Sequence, residues 1–208
     1  MKKFLSMLIC GGLFLATNVF AEEGTVIDQW SMVKAPAVVA LSTAEVDPAT
    51  TALLVLDIEQ RTVPPRPRAV AAVPKIKKLL YWARSKKLTI AHSITGASTP
   101  EAILSEVKPQ AGEIVVKASV DKYFNTDLAK FLKERNITTV IITGTAAEGA
   151  VLGTMIGSVM RGMNVILPVD CMPSSELYAE QYVVWHALNA PATKGKVTVT
   201  RSDMISAK

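Results

Sequence analysis

Short apolar runs alternate with longer stretches of helical periodicity along most of this chain. Ala52-Leu53-Leu54-Val55-Leu56 is a continuous apolar run that ends at Asp57, the pattern of a strand buried on both faces. Leu88-Thr89-Ile90-Ala91, Ile114-Val115-Val116, Thr139-Val140-Ile141-Ile142 and Asn164-Val165-Ile166-Leu167 repeat it, and Val197-Thr198-Val199 gives a weaker sixth. Between them, Val73, Ile76, Leu79, Leu80 and Ala83 form a stripe of period 3.6, with Lys75, Lys77, Lys78 and Arg84 on the opposite side. Thr126 is placed to cap a helix over Asp127 to Arg135, with Leu128, Phe131 and Leu132 inward. A third helix is expected to start near Gly149, run through Val151, Leu152, Met155 and Val159, and stop at Gly162. Tyr178 to Leu188 makes a fourth.

Strand–helix–strand alternation with short crossovers predicts a three-layer α/β/α domain around a mostly parallel six-stranded, Rossmann-like sheet. Ligands of such sheets bind at the carboxyl ends of the strands, at a topological switch point. That rule selects Asp57, His92, Lys117, the Gly144–Ala150 turn and the Asp170-Cys171 pair for a chemical reading. Residues 22–50 show no clear period, and Ala35-Pro36 and Asp47-Pro48 mark them as an irregular lead-in to a domain over 51–208.

The amino-terminal 21 residues read as a signal peptide. Lys2 and Lys3 precede the apolar stretch Phe4 to Leu15, and Val19-Phe20-Ala21 supplies a cleavage site before Glu22. This predicts a periplasmic or secreted protein with no membrane association after cleavage, since the apolar stretch is short for a permanent span. Ile9 is too bulky for Cys10 to serve as a lipid-anchor site, so Cys10 is read as leaving with the peptide. Loss of residues 1–21 takes the formal charge from +5 to +3 as Lys2 and Lys3 depart. No dense basic run with interleaved aromatics remains, which argues against nucleic acid as a partner. One cysteine, Cys171, is left, so no intramolecular disulfide is expected.

Asp57 borders apolar residues, where a carboxylate can be tuned for proton transfer, although a loop-capping Asp is the more ordinary occupant of such a place. Lys117 ends a strand and could stabilise negative charge, or simply be solvated. In Thr143-Gly144-Thr145-Ala146-Ala147-Glu148-Gly149-Ala150 a strand runs into small residues and then a helix. Backbone N–H groups at such a start can form an oxyanion pocket, and small residues also serve merely to permit a tight turn.

Together these segments resemble the isochorismatase-like hydrolase superfamily, the cysteine hydrolases, which includes nicotinamidases and related amidases. The resemblance extends from about Thr51 to Ile205 and rests on four pieces in order: Thr51-Ala-Leu-Leu-Val-Leu-Asp57, Val116-Lys117 followed by Tyr123-Phe124-Asn125-Thr126-Asp127-Leu128, Ile142 to Val151, and Asn164 to Asp170. It implies Asp57 as acid/base, Lys117 as its charged partner, oxyanion donors at the N–H groups of Ala146 and Ala150, and a cis peptide before Ala147. Family amidases carry their cysteine nucleophile at the position of Ala150, and a methyl group cannot attack a carbonyl.

Three readings follow. The protein is a silent small-molecule binder or oligomer subunit; or it hydrolyses a small C–N or vinyl-ether substrate without a covalent thioester; or a displaced nucleophile, Cys171, takes over, although small buried cysteines are the commoner case. The isochorismatases proper resemble the second case, but no Gln-Pro or arginine-bearing loop follows the second strand here. Glu148 stands as an alternative water activator, balanced by its fit to a helix start. No metal or other cofactor is expected: the nicotinamidase Asp-x-His set is replaced by Ala91-His92-Ser93-Ile94, and His186 lies among Tyr182, Trp185 and Leu188 on a helix. Trp82 and Trp185 are expected to cover the core or a subunit contact, and family relatives imply a homo-oligomer.

Overall fold

A computed structural model describes residues 24–208. The expected signal peptide and its cleavage site lie outside the described residues. Residues 24–37 form a unit of their own, containing a 3-10 turn at Trp30–Met32. The remainder, residues 38–208, builds the α/β domain.

Its main sheet consists of β2 (Thr51–Leu56), β3 (Thr89–Ile94), β4 (Ile114–Lys117), β5 (Thr139–Gly144), β6 (Asn164–Pro168) and β7 (Val197–Thr200). Every neighbouring pair is parallel, in the order β4-β3-β2-β5-β6-β7. All six residues of β2 are buried, as its unbroken apolar run requires of a central strand. The chain moves outward from β2 to β3 and β4, then returns to β5 on the other side of β2. The switch point is therefore between β2 and β5, and the carboxyl ends of these two strands carry Asp57 and the 144–150 turn.

Helix α1 (Pro67–Ser85) covers one face, burying Ala69, Ile76, Leu79, Leu80 and Ala83 against Leu53, Val55 and Ile141. Helices α2 (Leu128–Lys133), α3 (Leu152–Met160) and α4 (Leu177–Asn189) cover the other, through Leu128, Leu132, Met155, Val183 and Ala187 packed against Leu54, Leu56 and Ile142. Crossovers leaving β2 on its two sides, if all right-handed, must place their helices on opposite faces. Each fully buried Leu or Ile contributes roughly 1.5–3 kcal/mol of transfer free energy, so these two cores hold the sheet from both sides. Thr126 Oγ1 accepts the Leu128 N–H at 3.3 Å, close to the expected cap.

The lead-in is less irregular than its sequence. Strand β1 (Ala44–Val46) pairs in parallel with β8 (Ile205–Ala207), and Ser42 N–H donates to the Val199 carbonyl at 3.0 Å. Three-residue strands are too short to show a period, which hides both from a pattern reading. Among the described residues no helix is long and apolar enough to cross a membrane.

Candidate functional site

Asp57 follows β2 directly, in a left-handed backbone conformation (φ 53°) that non-glycine residues seldom adopt. Its N–H donates to the Ser93 carbonyl at 3.1 Å, which fixes the turn against the end of β3. Only 4% of the residue is exposed. Ser93 Oγ donates to Asp57 Oδ1 at 2.7 Å, and Lys122 Nζ lies 2.7 Å from Oδ2. Burial pushes the Asp57 carboxyl above its ordinary value, against the opposing pull of the Lys122 ammonium and the Ser93 hydroxyl; nearby Glu59 adds to the upward push.

The lysine beside the acid is thus Lys122 and not Lys117. Along β4 the side chains alternate, Val116 turning inward and Lys117 outward into solvent. The chain then folds back, and Lys122 enters fully buried. Its ammonium also donates to the carbonyls of Ala118 (3.4 Å) and Ser119, so all three protons have acceptors. Helix α3 receives this segment: a Cβ on Gly153 would stand 2.6 Å from Val120 Cγ1, and one on Gly157 2.7 Å from Asp121 Oδ1. Between them Thr154 Oγ1 accepts the Lys122 N–H at 3.3 Å.

The other wall is the turn after β5. Gly144 has φ 127°, and a Cβ there would sit 2.0 Å from the Leu56 carbonyl oxygen, so only glycine lets β5 pass the end of β2. The cis peptide is Thr145–Ala146, one residue earlier than the resemblance implied. A wide π-type turn, Ala147–Val151, leads into α3, a backbone feature often found at functional sites. Its Ala147 N–H donates to the Pro173 carbonyl at 3.1 Å, and the Ala146 carbonyl accepts from Gly149 and Val151. The Ala146 N–H itself has no acceptor among the described residues.

Asp57, Thr145, Ala146 and Ala150 border one open cavity of about 330 Å³, lined also by Thr62, Arg66, Thr95 and the 118–120 segment. This brings together the expected acid and the expected turn. It leaves out the remaining candidates. Glu148 is exposed and accepts a hydrogen bond from Ser174 Oγ at 2.5 Å, away from the cavity lining. Cys171 is fully buried in the α1-side core, and burial beside Asp170 pushes its thiol far up. Asp170 spends both oxygens on Ser202. A displaced nucleophile at Cys171 is not what this geometry offers.

His92 also belongs elsewhere. Its Nε2 lies 2.8 Å from Glu113 Oε2, and Arg84 Nε reaches Glu113 Oε1 at 2.8 Å. Burial alone would raise Glu113, but hydrogen bonds from Arg84, His92 and the Gln110 N–H hold its carboxyl down at about 2. Neighbouring side chains on a strand face opposite ways, so the residue of β3 that serves Asp57 is Ser93. His186 packs edge-on to Tyr182, which stacks with Trp185; Trp82 packs against the α1-side core. Among the described residues, no three His, Cys, Asp or Glu side chains are grouped to hold a metal ion. Sequence reasoning missed Lys122, Ser93, Arg66 and Thr62. The paired glycines of α3 were the one available sign of a close approach there.

Sheet order, the cavity at the switch point and the buried acid–lysine pair define a Rossmann-like α/β domain with its site at the β2/β5 seam. The family model described as the isochorismatase domain matches residues 51–201, and the chain belongs to that family. No curated protein matches it. Among solved structures it is similar to an isochorismatase-like hydrolase from Alkaliphilus metalliredigens, with 24% identity, a TM-score of 0.65, and coverage of 74% of this chain and 95% of that one. An isochorismatase family protein from Burkholderia thailandensis gives 22%, 0.67, 79% and 97%. N-carbamoylsarcosine amidase from Thermoplasma acidophilum gives 20%, 0.64, 74% and 97%.

Proposed function

We propose that this chain is an exported isochorismatase-family hydrolase homologue that acts on a small C–N or vinyl-ether substrate, with Asp57 moving the proton and no covalent thioester. The observation that carries this reading is the buried Asp57–Lys122 pair on the wall of a cavity whose facing turn presents the methyl group of Ala150. On an amide, the Asp57 carboxylate takes a proton from water as its oxygen attacks the carbonyl carbon. The developing oxyanion faces the Ala146 N–H, and Asp57 returns the proton to the departing nitrogen. On a vinyl ether, a protonated Asp57 donates to the terminal carbon. Water adds to the resulting oxocarbenium carbon and returns a proton to Asp57, and the hemiketal collapses to a carbonyl compound and the free alcohol as its C–O bond breaks. Lys122 takes no proton in either sequence; its fixed charge lets Asp57 ionise while buried.

The test is turnover of a panel of small amides, ureides and vinyl ethers by wild type and Asp57→Asn. Hydrolysis that disappears in Asp57→Asn supports the enzyme. Ala150 favours a second reading, a silent binding protein that keeps the pocket. Ligand binding with no hydrolysis across the panel supports that one.

The leader over residues 1–21 supports a periplasmic or secreted location. Fractionation, with an intact mass beginning at Glu22, checks it. The exposed Tyr178, Tyr182 and Trp185 on α4 support assembly as a homo-oligomer, which light scattering reads directly.

A further inference from the structure

Two buried polar groups on the wall of the Asp57 cavity have no protein partner: the Arg66 Nε–H and the Thr145 hydroxyl. Next to Thr145, the part-buried Ala146 also lines the cavity, and its N–H has no acceptor among the described residues. Leaving a buried donor unpaired is costly, and more so for a charged group. These unpaired groups belong to residues around one opening, where a molecule that enters can satisfy them together.

The acid–lysine pair does not use them. The two Asp57 oxygens are taken by Ser93 and Lys122. Arg66 stands immediately before Pro67, the first residue of α1, and its Nη1 donates to the Thr62 carbonyl at 2.6 Å. That bond and the helix start hold the guanidinium in place. Arg66 forms no ion pair among the described residues. Buried Glu59 does not line the cavity; its Oε1 accepts from Thr95, and its Oε2 has no partner among the described residues. Arg66 is thus a cation on this wall with no anion in ion-pair contact among the described residues. Its remaining edge is a planar fork suited to a carboxylate.

We infer that the cavity takes a small molecule bearing a carboxylate, which Arg66 receives, beside a carbonyl group received by Thr145 and the Ala146 N–H. A volume of about 330 Å³ suits a small acid. This rests on the reading of the Asp57 cavity as the reaction site and adds the class of its substrate.

The probes are succinamate, which carries one carboxylate and one primary amide, and succinamide, its neutral counterpart of the same length. Binding is measured by titration calorimetry on wild type, Arg66→Gln, Arg66→Lys and Thr145→Val, each checked for its fold by thermal melting. Wild type should bind succinamate at least about tenfold more tightly than succinamide. Arg66→Gln should erase that preference, Arg66→Lys should keep part of it, and Thr145→Val should weaken both probes alike. Equal affinity for the two probes, no binding of either, or a preference surviving in Arg66→Gln overturns the inference. Turnover is read on the same samples. A preference for the anion without turnover sinks the hydrolase reading and leaves this subsite standing. Turnover of neutral amides with no preference does the reverse.

Discussion

Lys122 and Asp57 lie 65 residues apart in sequence, and their charged atoms meet at 2.7 Å in a buried ion pair. Removing one partner of such a pair strands the other charge, which typically costs about 3–5 kcal/mol. Lys122→Met should therefore lower stability by that order, and reduce any turnover at least about a hundredfold through Asp57. Lys117→Ala, on an exposed strand end, should stay within about 0.5 kcal/mol. Urea unfolding of both variants measures this, and equal effects would show that the lysine is misassigned.

Ala150→Cys tests the wall facing Asp57. A thiol at a nearly buried site beside the cavity should acquire a covalent adduct from a small electrophilic amide or aldehyde, seen as a mass shift absent from wild type. Asp57→Asn in the same background should slow the adduct at least about tenfold, since it removes the nearby base. A thiol as sluggish as free cysteine would mean that Asp57 does not serve position 150.

Cys171 should behave oppositely. Its thiol is fully buried and pushed well above its ordinary range, so a maleimide should label it only after unfolding. Cys171→Ala should cost roughly 1–2 kcal/mol and leave turnover unchanged. Rapid labelling of the native protein would contradict the packing described.

Glu113 carries a pH signature. Its carboxyl is held near 2, below its ordinary 4.5, so the charged form is preferred more strongly when folded. The stability it contributes is complete above about pH 4.5 and is lost as pH falls towards 2. Glu113→Gln should cost about 1.5–3 kcal/mol at neutral pH through the weakened Arg84 and His92 contacts. The difference from wild type should shrink on acidification. Parallel denaturation curves at pH 7 and pH 3 decide it, and a pH-independent difference would remove the effect.

Gly144→Ala should be among the most damaging single methyl additions. It combines a left-handed backbone with a clash against the Leu56 carbonyl, which cannot move without opening the β2–β5 ladder. A loss of at least about 4 kcal/mol, or failure to fold, is expected. Gly162→Ala shares only the positive φ and should cost about 1–2 kcal/mol.

The main strands and helices were legible because each buries a continuous or periodic apolar set. β2 is buried on both faces, and α1 presents Val73, Ile76, Leu79, Leu80 and Ala83 as one stripe. Asp57 was legible because a carboxylate at the end of such a strand is conspicuous. Its partners were not. Lys122 lies in a polar loop where nothing in the local pattern separates a buried lysine from a solvated one. Ser93 was passed over for His92 because strand ends do not declare which face meets the neighbouring loop. Arg66 precedes a helix among prolines and arginines, and only three-dimensional closure of the cavity singles it out.

The glycine seat on α3 sets how deep the Lys122 loop can sink. A methyl at Gly153 would lift that loop by acting on Val120, and one at Gly157 by acting on Asp121, without either touching the ammonium. Asp57, anchored to β3, would not follow. The spacing of the charge pair is therefore a mechanical property of how a helix and a loop nest. It can be altered from the far side of the segment while every residue lining the cavity stays the same.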